Sequence, residues 1–253
     1  EKIAMSHLVQ QNRTNWPLIR KLLSIPRYKK IYLAHMHTIL SENFSNDEYI
    51  TVANTLRSLV TNAVQDDLNK FYTFEMYQNS LITTVMVDDD FAAAGIVELM
   101  SGRKAFLSNL PDFTATKPVI SDIVPSNATP FINTNISFTA QVTNANADAV
   151  FLGYRTNLTA AFTKIPMFDD GSHNDGAAGD NIFGTDDLLI NNAYMQYYIY
   201  AENNTIGAFS PARAEHEFHA IAAINNINPG EIAINEVMAQ NTSTITDPAG
   251  QFE

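Results

Sequence analysis

The 253-residue sequence contains no cysteine and a single tryptophan. The missing thiols exclude a disulfide framework, a thiolate zinc site and a thiol nucleophile, while leaving the redox compartment open. No apolar run approaches the eighteen or so residues that a membrane span needs. The opening EKIAMSHLVQQNRTNW has no apolar core of the kind a signal peptide carries. Its lack of an initiator methionine suggests that it begins inside a longer protein, so the missing signal carries no information. Positive charge is scarce towards the C-terminus. Residues 1–113 hold 11 Lys and Arg against 12 Asp and Glu, residues 114–220 hold 4 against 11, and residues 221–253 hold 0 against 4. An acidic back half argues against nucleic acid, whose phosphates it repels.

What is present falls into three segments. Residues 1–112 read as helical. Pro17 and Pro26 stand at first-turn positions, where proline's missing N–H costs nothing. Ile31, Tyr32, His35, Ile39 and Leu40 recur at helical spacing. Ser45 and Glu48 have capping-box spacing ahead of an apolar stripe of Tyr49, Val52, Ala53, Leu56, Leu59, Val60 and Ala63. Thr73 is a helix N-cap candidate, and GIVELMSGRKAFLSNL makes a last helix before Pro111. In residues 113–222 the period switches from 3.6 to 2. NISFTAQVT, AVFLGYRT, AFTKIPMF, AYMQYYIYAE and AEHEFHAI are separated by Asn, Asp and Gly clusters, the pattern of a β-sandwich. Residues 223–253 hold one strand-like run and are too short to bury a core.

Three phrases in the first segment, NWPLIRKLLSIPRYKKIYLAHMHTILSENF, DDLNKFYTFEMYQNSL and GIVELMSGRKAFL, resemble the C-terminal helices of CotH (spore coat protein H) kinase-like proteins, over about residues 12–108. The resemblance implies a secreted or cell-surface bacterial protein, some of whose relatives are atypical protein kinases. In that family the nucleotide- and metal-binding residues lie upstream of these helices. No catalytic or nucleotide-binding residue can therefore be carried over, and no G-x-G-x-x-G, H-R-D or D-F-G substitutes for them. The second segment is similar to the immunoglobulin-like or fibronectin type III-like modules appended to secreted bacterial enzymes. The tail EIAINEVMAQNTSTITD resembles the start of a lamin-tail-type domain. The implied fold is multidomain, helices and then an immunoglobulin-like β-sandwich. The implied role is a non-catalytic scaffold and spacer or adhesion portion, its main partner the upstream kinase-like region of the same protein.

Two features invite a binding role. The loop FDDGSHNDGAAGDNIFG could hold calcium, with Asp169, Asp170, Asn174, Asp175 and Asp180 as oxygen donors. The competing reading is a turn that satisfies itself, because Asp and Asn cap their own turns and Gly supplies positive φ. The loop lacks EF-hand spacing, and the turn is preferred. Asn181 stands where related turns carry glycine and is expected at positive φ. In AYMQYYIYAE, Tyr194, Gln196, Tyr198 and Tyr200 fall on one face of a strand. Tyr194, Tyr198 and Tyr200 could stack on a sugar or anchor a protein, or could instead fill a core. The remaining candidates are weaker. His35 and His37 point to different faces of a helix, His216 and His219 miss the zincin spacing, and Asp88–Asp90 read as a solvated loop.

Overall fold

The computed structural model describes residues 2–88 and 91–226. Two prolines begin the first two helices. Helix α1 spans Pro17–Leu23 and α2 spans Pro26–Ile39, each with its proline in the first turn. A π-helical turn, Leu40–Phe44, extends α2. Helix α3 (Glu48–Asp66) and α4 (Phe74–Asn79) follow. A pair of two-residue strands, β1 (Val85–Met86) and β2 (Ala92–Ala93), then leads to α5 (Ile96–Ser108) and α6 (Pro111–Thr114).

Local signals in this part are met unevenly. Thr73 caps α4, its hydroxyl accepting from the Met76 N–H at 3.1 Å. The expected Ser45–Glu48 box does not form. Ser45 closes the π turn through its N–H to the Leu40 carbonyl at 2.8 Å, which pushes the start of α3 to Asp47 in a left-handed conformation. The Asn46 side chain takes over, accepting from the Glu48 N–H at 3.1 Å. The apolar stripe of α3 is not buried either. None of its described residues is buried, and Val52, Leu56, Leu59 and Val60 are all exposed, Leu59 at 75%.

The remaining described residues are β-rich. In chain order the strands are β3 (Val119–Pro125), β4 (Thr134–Ile136), β5 (Phe138–Thr143), β6 (Val150–Arg155), β7 (Thr163–Pro166), β8 (Ile182–Gly184), β9 (Leu188–Ile190), β10 (Tyr194–Glu202), β11 (Gly207–Ser210) and β12 (His219–Ala222). One sheet runs β11-β10-β6-β7, with β12 sharing the edge of β10 that β11 uses. A second runs β3-β5-β8, and β4 pairs with β9. The pairs between these strands are antiparallel. The change from helix to strand falls between Thr114 and Val119.

A single apolar core joins these sheets. Ile136, Phe138, Ala140 and Val142 meet Val150, Leu152, Met195, Tyr197 and Ile199 there. β10 is buried on both faces along almost its whole length, because its odd-numbered residues enter this core and its even-numbered ones meet a third layer. That layer is α2, which packs on the outer face of the sheet.

Candidate functional site

Loop 168–184 is held by its own carboxylates. Phe168 and Gly184 exchange backbone hydrogen bonds of 2.8 and 2.7 Å, closing its ends. Asp169 accepts from the N–H groups of Gly179, Asp180 and Asn181, at 2.8 to 3.2 Å. Asp175, 1% exposed, accepts from Asp170 and Gly171 through Oδ2 and from His173 through Oδ1, at 2.6 to 2.9 Å. Asp180 accepts from Ala177 and Ile182, and Asp170 from Ser172. Burial alone would raise the Asp175 pKa. The N–H groups of Gly171, His173 and Asp170 outweigh it and hold the carboxyl below the usual carboxylate range. Asn174 is exposed and, like Asn181, adopts positive φ.

The geometry favours the self-satisfied turn over a preformed calcium cage. Asp169, Asp170, Asn174, Asp175 and Asp180 share a loop but do not converge. Backbone donors draw the carboxylates into separate turns, and among the described residues no group of three or more His, Asp or Glu is placed to hold a metal. Gly184 completes the device, since a Cβ there would collide with the His173 carbonyl oxygen.

Most of the tyrosine row lies beneath the surface. The even-numbered residues of β10 share a face as expected, but Tyr198 is 1% and Tyr200 4% exposed, leaving Tyr194 alone at 37%. Neighbouring glycines make room for the two buried rings. Tyr198 lies across Gly153, its partner on β6, where any Cβ would strike the ring. Tyr200 covers Gly207, a Cβ on which would come within 2.6 Å of the ring. Phe209 packs at a tilt against both tyrosines, and Ile31 of α2 packs on the same cluster. Each buried hydroxyl finds a carboxylate. Tyr198 donates to Glu215 at 2.7 Å and Tyr200 to Glu202 at 2.6 Å. Burial first, then these bonds, push both phenols far above their ordinary pKa.

Polar contacts clamp α2 onto this face. Lys30 Nζ reaches the free oxygen of Glu202 at 3.0 Å, with both side chains less than 15% exposed. The Arg27 guanidinium sits 4.1 Å above the Phe151 ring. His35 stacks on Phe209 at 4.9 Å. Arg213, from the loop after β11, bonds Glu42 of the π turn at 2.6 Å. His37 points elsewhere, stacking on Phe113 and bonding the Asp112 carbonyl. Beside the joint is a cleft of about 850 Å³, with Tyr28, Ile31 and Phe209 among its apolar walls and Lys164, Arg213 and Glu215 among its charged ones. His216 lines this cleft from a turn, whereas His219 begins β12.

The periodicity of PRYKKIYLAHMHTIL identifies a helix but not what it covers, so the Lys30–Glu202 contact is invisible to sequence reading. The hint was Gly153 in AVFLGYRT and Gly207 in NNTIGAF, glycines in strands beside a tyrosine-rich strand. Asp89, Asp90 and nearly all of the lamin-tail-like segment lie outside the described residues.

The arrangement defines a class: a helical segment fused to a β-rich part through a buried aromatic face. Within it, residues 1–91 match the family model for CotH kinase protein and form a CotH-like region. The GIVELMSGRKAFL phrase lies beyond the match. No curated protein and no solved structure matches the chain. Among the described residues no helix is long and apolar enough to cross a membrane.

Proposed function

We propose that this chain is a non-catalytic scaffold of a secreted or cell-surface CotH-kinase-like protein, in which an immunoglobulin-like β-module is carried in fixed orientation on helices that buttress a kinase-like region. The observation that carries the reading is the burial of the Tyr198–Tyr200 face under α2. A module tethered by a free linker would leave that face wet, whereas a rigid spacer has to bury it. The exposed stripe of α3 supports the other half of the proposal. Large apolar side chains are exposed through much of the helical part, from Trp16 and Leu18 to Phe71 and Ile82. Many exposed large apolar side chains in one part of a protein suit an interaction surface, here one for another part of the same protein. The kinase-like region that the resemblance places upstream is the proposed partner.

The test is a thermal melt of the chain with EDTA, calcium, magnesium and magnesium-ATP in parallel. A ligand that binds only the folded form at a hundredfold excess over its dissociation constant adds about 2.7 kcal/mol of stability. The reading expects coincident midpoints in all four. A rise with magnesium-ATP would place a nucleotide site in the chain and overturn the scaffold role. A second test addresses the partner. Leu56→Glu with Leu59→Glu should leave the melt of this chain within about 0.5 kcal/mol of wild type, as exposed substitutions do. The same pair should abolish binding to the kinase-like region.

A further inference from the structure

The joint between α2 and the sheet is built around a histidine. His35 is half-buried and lies nearly parallel to the Phe209 ring, with an interplanar angle of 16°. Phe209 in turn packs on Tyr198 and Tyr200. A proton on His35 therefore places a charge within the contact that holds the helical and β-rich parts together.

The charged groups around it are already committed. From its own side, Glu42 is bound by Arg213 Nε at 2.6 Å. From the loop after β11, Glu217 accepts from Arg213 Nη1 at 3.1 Å. Glu215 accepts the Tyr198 hydroxyl and faces Lys164 of β7 at 3.4 Å. Lys164 and Arg213 carry charge of the same sign as an imidazolium, and Tyr28 and His216 also line the cleft. The flat Phe209 face returns part of the lost hydration through its quadrupole. Burial and the nearby His216 nevertheless depress the pKa of His35, with Glu215 opposing them.

We propose that the α2 joint is acid-sensitive, with His35 as the group whose protonation weakens it. The proposal rests on the docked joint described above and adds a condition under which it loosens. A depressed histidine pKa makes the sign definite. The docked state binds fewer protons than the open one, so docking is strongest above about pH 6.5 and weakens as pH falls towards the depressed value. With one linked proton, the open-to-docked ratio rises by up to about tenfold per pH unit in that window.

The absence of cysteine makes the test clean. Ala214→Cys, at a position 2% exposed in the joint, introduces one thiol whose labelling reports opening. Ala140→Cys, fully buried in the β core, reports opening of that core. Rates are divided by those of an unstructured cysteine peptide at each pH, which removes thiol ionisation. Between pH 7.5 and 5.5 protection at position 214 should fall severalfold while that at 140 holds. Adding His35→Phe, which keeps a stacking ring, should abolish the fall at 214. Ile31→Cys serves as reporter should Ala214→Cys disturb the loop, and His35→Gln replaces His35→Phe should the larger ring misfit. Equal falls at 214 and 140, an unchanged response in the His35 variant, or no fall at 214 would each overturn the proposal. Weak protection at 214 already at pH 7.5 would instead contradict the docked joint itself.

Discussion

Asp175 shows how one side chain can fix a loop. It accepts three backbone N–H bonds from inside the protein. Replacing it with alanine leaves three part-buried N–H groups without this acceptor, so Asp175→Ala should cost about 3 kcal/mol in denaturant unfolding. Asp180→Ala, at an exposed position, should cost less. The folded carboxyl titrates below its ordinary pKa, so its contribution is present above about pH 3.8 and is lost as pH falls through the depressed value. His173 has the opposite sign. Its bond to Asp170 raises its pKa, so its contribution is full below the ordinary histidine range and fades as pH rises through the raised value. The stability gap between wild type and His173→Gln should therefore widen from pH 8 to pH 5.5 in urea titrations. Glycines set limits of another kind. Gly153→Ala forces a methyl group into the Tyr198 ring, and a loss of about 1–3 kcal/mol is expected from overpacking.

At the scale of elements, sequence patterns gave directions and left partners open. The alternation in AYMQYYIYAE separates Met195, Tyr197 and Ile199 from Tyr198 and Tyr200, and the structure keeps that division. It could not tell that both faces are buried, because a strand covered on its outer side by a helix reads the same as one facing solvent. The DDGSHNDGAAGD loop was legible as a turn rich in positive φ. Which carboxylate serves which N–H was not, since it depends on backbone directions that composition does not encode. Ser45 and Glu48 have the spacing of a cap, yet the π turn claims Ser45 first. Of the stripe read on α3, Tyr49 and Ala53 are half-buried, Tyr49 against Phe44, whereas Val52, Leu56, Leu59 and Val60 are exposed. Lys30→Met should separate these layers. It leaves Glu202 in a mostly buried site with the Tyr200 hydroxyl as its remaining side-chain partner among the described residues, and the unfolding free energy should drop by about 3 kcal/mol.

On the scale of the whole molecule, the chain is described best as three stacked layers: a small sheet assembly, the β11-β10-β6-β7 sheet, and α2. The division into helices and then strands was apparent from the change of period near Pro111. The way the two parts are fastened together was not, because it is written in contacts between residues more than 150 positions apart, such as Lys30 with Glu202 and Glu42 with Arg213. Fastening of this kind lets a β-module act as a fixed arm instead of a swinging one, which is the core of the scaffold reading. Differential scanning calorimetry at pH 7.5, on wild type and Lys30→Met, tests it most directly. The account predicts one transition for wild type, with the helical and β-rich parts melting together, and a lowered or split transition in the variant. Two separate wild-type transitions, neither moved by Lys30→Met, would show that the parts fold without each other and would contradict a rigid joint.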